Sequence, residues 1–255
     1  MTTSRRVMIT AGAAGIGWAI AKAFADGGAR IHVCDIDEAA LAEAKRAGMG
    51  ITRLNVADPA AIDQWFEASL KDLGGLDVLV NNAGIAGPTA RVEDMDYDGW
   101  KECVTVCLDS QFLTARRAAP VLKDQRSGTI INISSGAGLA GYPYRTPYCA
   151  AKWAVIGFTK SLAAELGPYG VTANAICPGA VSGPRMDRVI AAEAKASGRT
   201  EDDIRAAYTK GVSLRRFVEP EEIADAALFL ASPAAKMISG EALAVDGHAE
   251  LYPSE

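Results

Sequence analysis

Residues 7–17 of this 255-residue chain read VMITAGAAGIG, and this stretch decides the fold. Val7–Thr10 is a short apolar run typical of a buried strand, and the segment that begins near Gly15 has helical periodicity. Glycines at a turn from strand to helix let the backbone approach a pyrophosphate, to which the helix N-terminus offers N–H groups. Many turns use glycine, so this motif needs support from the strand that follows it.

The next β-rich run, Arg30–Asp35, ends in an acidic residue, as a dinucleotide-binding unit requires. The Asp35 carboxylate can accept hydrogen bonds from both adenine-ribose hydroxyls, and it would repel a 2′-phosphate. Neither Ala14 nor Ile36 offers a cation to such a phosphate. These positions favour NAD(H) over NADP(H); the alternative is that Asp35 only caps the next turn.

Beyond this unit, β-rich runs alternate with segments of helical periodicity. The predicted strands are Val7–Thr10, Arg30–Asp35, Gly50–Asn55, Asp77–Asn81, Thr129–Ser134, Val171–Cys177 and Ala242–Val245. The predicted helices are 16–27, 38–47, 59–73, 96–123, 147–168 and 219–231. Such alternation builds a parallel sheet through right-handed crossovers, and continuous apolar runs indicate strands covered on both faces. We therefore predict an α/β fold in which residues 1–255 form a single doubly wound domain with a seven-stranded parallel sheet flanked by helices.

Composition excludes several classes of protein. Hydrophobic residues make up 49% and charged residues 22%, which is ordinary for a globular chain. The net charge of −5 disfavours nucleic-acid binding. Five scattered cysteines without a CxxC pair, together with two histidines, predict no metal site and reduced thiols in the cytoplasm. Glycines and charges interrupt the apolar stretches, so we expect no membrane span.

Tyr148 and Lys152 are four residues apart at the start of a predicted helix, so they share one face. A free tyrosine has a pKa of about 10, and a neighbouring ammonium favours the phenolate. The pair therefore predicts an acid/base near neutral pH. The alternative is a surface pair without a function.

Six motifs in order resemble the short-chain dehydrogenase/reductase family, in its single-domain branch. They are Thr10–Gly17, Asn81-Asn82-Ala83-Gly84, Ile133-Ser134-Ser135, Tyr148-Cys149-Ala150-Ala151-Lys152, Pro178-Gly179 and Val245-Asp246-Gly247. Together they cover essentially the whole chain. The resemblance implies a Rossmann-type fold, a nicotinamide cofactor and a frequently tetrameric assembly.

The resemblance also implies roles for individual residues. Ser135 would hydrogen-bond the substrate oxygen, Tyr148 would be the acid/base, and Lys152 would favour the phenolate and hold the nicotinamide ribose. Ser134 is the neighbouring serine, with a structural role. The cofactor contacts that the resemblance implies are Gly12, Ala14, Gly15, Ile16, Gly17, Asp35, Ile36, Asn55, Val56, Asn82, Ala83, Gly84, Tyr148, Lys152, Pro178, Gly179, Val181 and Ser182.

Four positions depart from the family pattern. Ala11 replaces the first glycine of the turn; an alanine is tolerated there if its φ is negative, so we expect a slightly altered turn and no loss of binding. Cys107 replaces an asparagine of the proton relay; a thiol is a poor hydrogen-bond partner, so we expect a relay through a backbone carbonyl and water, or slower turnover. A redox or nucleophilic Cys107 is the less favoured reading, and a small buried hydrophobe the more favoured one. Ser182 precedes Gly183 where a threonine is usual, and Asn55 replaces an aspartate near the adenine.

The segment from Gly183 to Val218 follows the sixth predicted strand, where the family places its substrate lid. It holds eight cations and five anions, while the rest of the chain is acidic. Its guanidinium groups could clamp an anion, and we predict substrate contacts from Arg145, Arg185 and Met186. The alternative is an amphipathic helix with a solvated charged face.

Two predicted helices, 103–122 and 147–166, carry small or apolar residues on nearly every face. A helix of this kind is buried all round, so we predict that a second subunit covers both of them in a homotetramer or a dimer.

The leading hypothesis is an NAD-dependent oxidoreductase that interconverts a secondary alcohol and a ketone on a small polar substrate: a sugar, a polyol or a hydroxy acid, which could be anionic. The nearer alternative is a 3-oxoacyl-thioester (acyl-carrier-protein) reductase. A non-catalytic NAD-binding protein and a lyase or epimerase with bound NAD are less favoured.

Overall fold

The computed structural model describes residues 4–249, so the first three and last six residues of the predicted domain lie outside the described part. The strands are β1 (Arg6–Thr10), β2 (Arg30–Asp35), β3 (Gly50–Arg53), β4 (Val78–Asn81), β5 (Gly128–Ile133), β6 (Val171–Pro178) and β7 (Ala242–Val245). The helices are α1 (Gly15–Asp26), α2 (Glu38–Arg46), α3 (Pro59–Leu73), α4 (Tyr97–Val104), α5 (Ser110–Gln125), α6 (Thr146–Leu166), α7 (Pro184–Ser197), α8 (Glu201–Lys210) and α9 (Pro220–Leu230).

The strands form one parallel sheet in the order β3-β2-β1-β4-β5-β6-β7. The chain winds from β1 toward β3 on one side and from β4 toward β7 on the other. Strand order thus reverses between β1 and β4, where an open α/β sheet forms a crevice beyond its carboxyl ends. The predicted seven-stranded, doubly wound sheet is confirmed.

Both faces of the sheet are buried, which explains the continuous apolar runs. In β1, Val7 and Ile9 face the layer that contains α1 and α9, whereas Met8 faces the layer of α3, α5 and α6. Trp65 and Phe66 of α3 are almost fully buried in the second layer. Each strand therefore needs apolar residues on both sides, as parallel sheets generally do.

Local side-chain bonds set the ends of the third predicted strand and the next helix. Asn55 Oδ1 accepts the Ala57 N–H at 3.0 Å, which turns the chain out of the sheet, so β3 is shorter than predicted. Asp58 caps α3 by accepting the N–H groups of Ala60 and Ala61. Pro59 occupies the first helical position, where its missing N–H costs nothing.

The prediction of one continuous helix over 96–123 was wrong. A π-helical turn, Thr105–Asp109, separates α4 from α5. The Ser110 hydroxyl donates to the Val106 carbonyl at 2.7 Å, and the Gln111 amide donates to the Cys107 carbonyl at 3.2 Å, so side chains supply hydrogen bonds to this turn. Periodicity does not reveal such a one-residue insertion, which often marks a functional site.

The predicted lid contains α7 and α8, and a capping box between Thr200 and Asp203 begins α8. An apolar cluster of Ile190, Ala194 and Ile204 packs the two helices together. On the outer surface of the lid, Arg205 pairs with Asp187, as expected for an amphipathic helix with a solvated charged face. The chain enters the lid and returns from it at neighbouring positions, because Val181 and Val218 form a parallel bridge.

Two of the outer helices expose large apolar side chains. Phe112 of α5 is 47% exposed and Trp153 of α6 is 53% exposed. Part of the apolar surface of α6 is therefore open within a single chain. Its burial by another subunit stays a prediction. Among residues 4–249, no helix has the length and apolar character needed to cross a bilayer.

Candidate active site

A cleft of about 740 Å³ opens beyond the carboxyl ends of the strands. Its size is that of a site for a small molecule or cofactor. Predicted site residues that line it are Ala14, Gly15, Ile16, Asp35, Ile36, Asn55, Val56, Asn82, Ala83, Gly84, Ser135, Arg145, Tyr148, Lys152, Pro178, Gly179, Val181, Ser182, Arg185 and Met186. Residues from across the chain are thus brought to one place.

The glycine-rich turn packs tightly against its neighbours. A Cβ on Gly12 would lie 2.7 Å from Val33 Cγ1, and a Cβ on Gly17 would collide with the Ala11 carbonyl. Gly12 and Gly17 therefore support the turn from behind rather than line the cleft. Gly15 has a φ of 53°, with open space where a Cβ would be, so it leaves room for a ligand at the start of α1.

Ala11 does not have the negative φ on which its tolerance in the turn was expected to depend. Its φ is +48°, in the left-handed region that disfavours a residue with a Cβ. The turn keeps the shape that glycine would take easily, and the alanine is held in it. Asn82 contributes, because its side-chain amide donates to the carbonyls of Thr10 (3.1 Å) and Ala11 (2.9 Å).

Thr10 joins the turn to the end of β4, a role that the sequence reasoning missed. Its hydroxyl oxygen accepts the N–H groups of Asn82 (2.9 Å) and Ala83 (3.0 Å). A threonine directly before the turn was the available signal. Asn81, by contrast, lies below the cleft in a fully buried chain of hydrogen bonds with Asn132 and Thr114.

Asp35 lies where the turn meets the end of β2. One carboxylate oxygen accepts the Ala13 N–H at 3.1 Å, and the other accepts the N–H groups of Ile36 (2.8 Å) and Asp37 (3.2 Å). The carboxylate therefore has the local bonds of the capping alternative and also borders the cleft. Asp37 adds a second carboxylate there, and Arg53 is paired with Glu38 at 3.1 Å.

Ser135, Tyr148 and Lys152 all border the cleft. Lys152 is only 2% exposed, which overturns the surface-pair alternative, and its ammonium donates to the Ile133 carbonyl at 2.8 Å. Ser135 Oγ accepts the Ala137 N–H at 3.1 Å, which leaves its hydroxyl proton for another partner. Ser134 instead donates to the Lys152 carbonyl at 2.8 Å, so it braces the helix.

Three cations surround the Tyr148 ring. The guanidinium carbons of Arg145 and Arg185 lie 4.8 and 5.9 Å from the ring centroid, and Lys152 Nζ lies 5.7 Å from it. Cation–π contacts at this range hold the ring and make its surroundings positive. The cleft beside Tyr148 is therefore suited to an anion.

The two arginines differ in what they already bind. Arg145 is buried, donates to the Ala86 carbonyl (3.2 Å) and pairs with Glu193 of the lid (3.7 Å), although its Nε has no partner. Arg185 donates only to the Gly84 carbonyl (3.2 Å), and within residues 4–249 no carboxylate is within ion-pair distance of it. Arg185 is thus the more available of the two cations.

At the far end of the cleft, the Ser182 hydroxyl bonds to the Glu219 carboxylate. Because the Ser182 hydroxyl already donates its proton to Glu219, its oxygen would accept a hydrogen bond from the carboxamide of a nicotinamide. Asn55 Oδ1 already accepts a hydrogen bond from the Ala57 N–H, so an adenine amine would be its second partner.

In the part of the chain described, no group of three or more histidine, cysteine or acidic residues is arranged to hold a metal.

The cleft fits a dinucleotide. Open space at Gly15 meets the start of α1, carboxylates lie where an adenine ribose would be, and the buried Lys152 ammonium borders the other end. Helix N-terminus, carboxylate and ammonium match the pyrophosphate and the two riboses in turn.

A family model described as enoyl-(acyl carrier protein) reductase matches residues 11–248. D-β-hydroxybutyrate dehydrogenase from Cupriavidus necator is 37% identical over 254 residues, covering 97% of this chain and 98% of that protein. This chain belongs to the short-chain dehydrogenase/reductase family. A 3-oxoacyl-[acyl-carrier-protein] reductase from Chlamydia muridarum is another member, 33% identical with 97% of this chain and 98% of that protein covered.

Solved structures of the short-chain dehydrogenase/reductase family share the fold. NAD+-bound xylitol dehydrogenase superposes with a TM-score of 0.92 at 25% identity, covering 97% of this chain and all of that one. An actinorhodin polyketide ketoreductase with NADPH gives 0.91 at 30% identity, with 97% of each chain covered. The protein is therefore an oxidoreductase that acts on CH–OH groups, in a family whose members bind either nicotinamide cofactor.

Proposed function

We propose that this protein is an NAD(H)-dependent dehydrogenase that interconverts a small hydroxy acid and the corresponding keto acid. The observation that carries the proposal is the ring of Arg145, Lys152 and Arg185 around Tyr148, beside Ser135, in a cleft that fits a dinucleotide. The hydroxybutyrate dehydrogenase relative is consistent with a substrate that carries a carboxylate.

The preference for NAD(H) is argued from the adenosine end of the cleft. Asp35 is held in place by three backbone N–H groups, and Asp37 lies next to it. A 2′-phosphate would meet two negative charges there. The cation at the end of β3, Arg53, is engaged with Glu38.

In the mechanism that we propose, Ser135 and Tyr148 hold the substrate oxygen. Ser135 donates its free hydroxyl proton to that oxygen, and Tyr148 removes the hydroxyl proton in oxidation or supplies it in reduction. Lys152, fixed by the Ile133 carbonyl, keeps a positive charge beside the phenol. A bound nicotinamide ring supplies the hydride acceptor or donor.

The carboxylate of the substrate would bind at the mouth of this site. Arg185 has no carboxylate partner among residues 4–249, and Arg145, although it pairs with Glu193, lies 4.8 Å from the centroid of the Tyr148 ring. Met186 lines the same end of the cleft and would cover the apolar part of a short carbon chain.

Reduction of a 3-oxoacyl thioester is the second candidate. The family model's description and the acyl-carrier-protein reductase relative favour it, whereas the two carboxylates at the adenosine end disfavour NADP(H). A sugar or polyol is the third substrate class, for which the xylitol dehydrogenase structure provides the likeness.

We also propose that the chain forms a homo-oligomer and that it is located in the cytoplasm. Phe112 and Trp153 are exposed on α5 and α6, so a second copy of the chain would cover them in a homotetramer or dimer. All five cysteines are free thiols, which suits a reducing compartment such as the cytoplasm.

The test is a screen for NADH or NADPH formation on hydroxy acids, sugars and polyols, with reduction of an acyl thioester run in parallel. We expect turnover of a hydroxy acid with NAD and little with its methyl ester. Turnover only of thioesters with NADPH would establish the second candidate.

Two variants test the assigned roles. Tyr148→Phe should lower turnover by roughly 10²–10⁴-fold, the contribution of general acid–base catalysis, while NAD still binds. Asp35→Ala should weaken NAD binding and narrow its advantage over NADP. Full turnover in the first, or an unchanged cofactor preference in the second, would contradict the mechanism.

A further inference from the structure

Within the described part of the chain, the buried Lys152 ammonium has no carboxylate partner. It is almost fully enclosed and donates to one backbone carbonyl, that of Ile133. Among residues 4–249, no Asp or Glu oxygen lies within ion-pair distance of it. A buried charge without a counter-ion is costly, so its nearest ionisable neighbours matter.

A thiol borders the same small space as this ammonium. Lys152 Nζ and Cys107 Sγ lie 3.4 and 3.6 Å from the position that a Cβ on Gly84 would occupy, and Arg185 Nη2 lies 4.0 Å from it. Cys107 is fully buried in the π-helical turn, and its Sγ is 3.4 Å from the Ile85 carbonyl oxygen. A neutral thiol donates to that oxygen.

A second thiol supports ionisation of the first. Cys103 lies four residues earlier, one helical turn away, and is also fully buried. The neighbouring Cys103 thiol lowers the pKa of Cys107, burial opposes this, and the charge of Lys152 lowers it further. The same pairing raises the pKa of Cys103, so Cys107 is the thiol of the pair that loses its proton first.

We propose that Cys107 is a positioning residue whose thiolate is the counter-ion of the Lys152 ammonium. On ionisation the thiol proton passes to solvent, the bond to Ile85 is lost, and Cys103 donates to the remaining sulfur. The group that replaces the asparagine of the family pattern is then not a weak hydrogen-bond partner but a charged one.

The charged and titratable groups around Cys107 come from three elements. Cys103 faces it from α4, Lys152 and Tyr148 from α6, and Arg185 from the start of α7. The cationic groups favour the thiolate, and neutral Cys103 donates to it.

The ultraviolet absorbance of the thiolate tests the proposal without any substrate. The titration is run on Tyr148→Phe protein, so that this phenol does not contribute. We expect one thiolate to form with a midpoint below that of a free cysteine, about 8.5. Introducing Cys107→Asn into the Tyr148→Phe protein should abolish the thiolate absorbance.

Three further variants isolate the cause. Cys103→Ala should raise the midpoint by about one to two pH units, the effect of one hydrogen bond to a charged group. Lys152→Met should raise it as well. Cys34→Ala is the matched control, because Cys34 is buried in β2 and burial raises its pKa; it should change nothing.

Persistence of the absorbance in Cys107→Asn, or an unchanged midpoint in Lys152→Met, would overturn the proposal. Cys107→Ser replaces the asparagine variant if that protein does not fold. A kinetic measurement, which rests on the proposed function, complements the titration: the kcat/KM profile of Cys107→Asn should lose one ionisation while its plateau stays within about tenfold. Turnover without a thiolate refutes this inference alone, and a thiolate without turnover refutes the proposed function alone.

Discussion

Removal of the Glu193 carboxylate should destabilise the protein more than removal of any exposed acidic partner in the lid. Glu193 of α7 pairs with Arg145 at 3.7 Å, and these side chains are only 16% and 8% exposed. Its Oε1 also accepts the Tyr208 hydroxyl at 2.6 Å, and burial raises the pKa of that tyrosine, so it remains a donor. Glu193→Ala therefore removes the ion-pair partner of a buried guanidinium and the hydrogen-bond acceptor of a partly buried phenol.

The magnitude follows from burial rather than from distance. Breaking a fully buried pair costs about 3–5 kcal/mol, and the residual exposure of Glu193 reduces this to roughly 2–4 kcal/mol. The matched control is Asp187→Ala in the same helix, which breaks a shorter pair with Arg205 (2.7 Å) whose side chains are 57% and 44% exposed. An exposed pair of this kind contributes about 0.2–1 kcal/mol.

Urea denaturation measures both variants against wild type. For a slope of about 3 kcal/mol/M, Glu193→Ala should lower the midpoint by about 1 M and Asp187→Ala by much less. Glu193→Gln, which keeps an acceptor for Tyr208, should lie between them. Equal losses in the two alanine variants would refute the reasoning that burial decides the strength of these pairs.

Three further perturbations have defined outcomes. Ala11→Gly relieves a left-handed alanine that costs about 1–2 kcal/mol but adds unfolded-state entropy worth about 0.4–1 kcal/mol. Thermal denaturation should therefore show a net gain in stability of at most about 1.6 kcal/mol; a loss would contradict it. Asn132→Ala removes the nearer acceptor of the buried Asn81 amide, leaving only the Gln111 carbonyl at 3.5 Å among the described residues, and should cost about 1–3 kcal/mol, measured by urea denaturation. Although burial raises the pKa of Asp77, the Arg6 side-chain bond and charge lower it overall, so this pair stabilises the protein at neutral pH and less as pH falls through the carboxyl range. In Asp77→Asn the stability should depend less on pH there, and an unchanged acid slope would refute the assignment.

The fold was predictable because its signals are local and repeated. Short β-rich runs such as Val7–Thr10 and Arg30–Asp35 alternate with helical segments, so a doubly wound parallel sheet follows from the rules for parallel crossovers. Placement of Ser135, Tyr148 and Lys152 in one cleft followed from the ordered motifs. These features depend on residue type and spacing alone.

Other features depend on contacts that spacing does not encode. The π-helical turn at Thr105–Asp109 inserts one residue without a signal in periodicity. The positive φ of Ala11 is accompanied by a hydrogen bond to its carbonyl from Asn82, which follows β4 and is distant in sequence. Pairing of Arg145 with Glu193 joins the start of α6 to the lid, so the sequence showed a cation but not the carboxylate that it pairs with.

The bridge between Val181 and Val218 has a consequence for how new specificities arise. Ser182 N donates to Val218 O and Val218 N donates to Ala180 O, both at 2.9 Å, so the lid enters and leaves through adjacent backbone positions. Ser135, Tyr148, Lys152 and Asp35 all lie outside that interval. We therefore expect exchanges within residues 183–211 that keep Glu193, the partner of Arg145, to change what is recognised while the reactive groups and the sheet stay in register. Val212 lies beyond this interval because it bridges to Ala249 of the body.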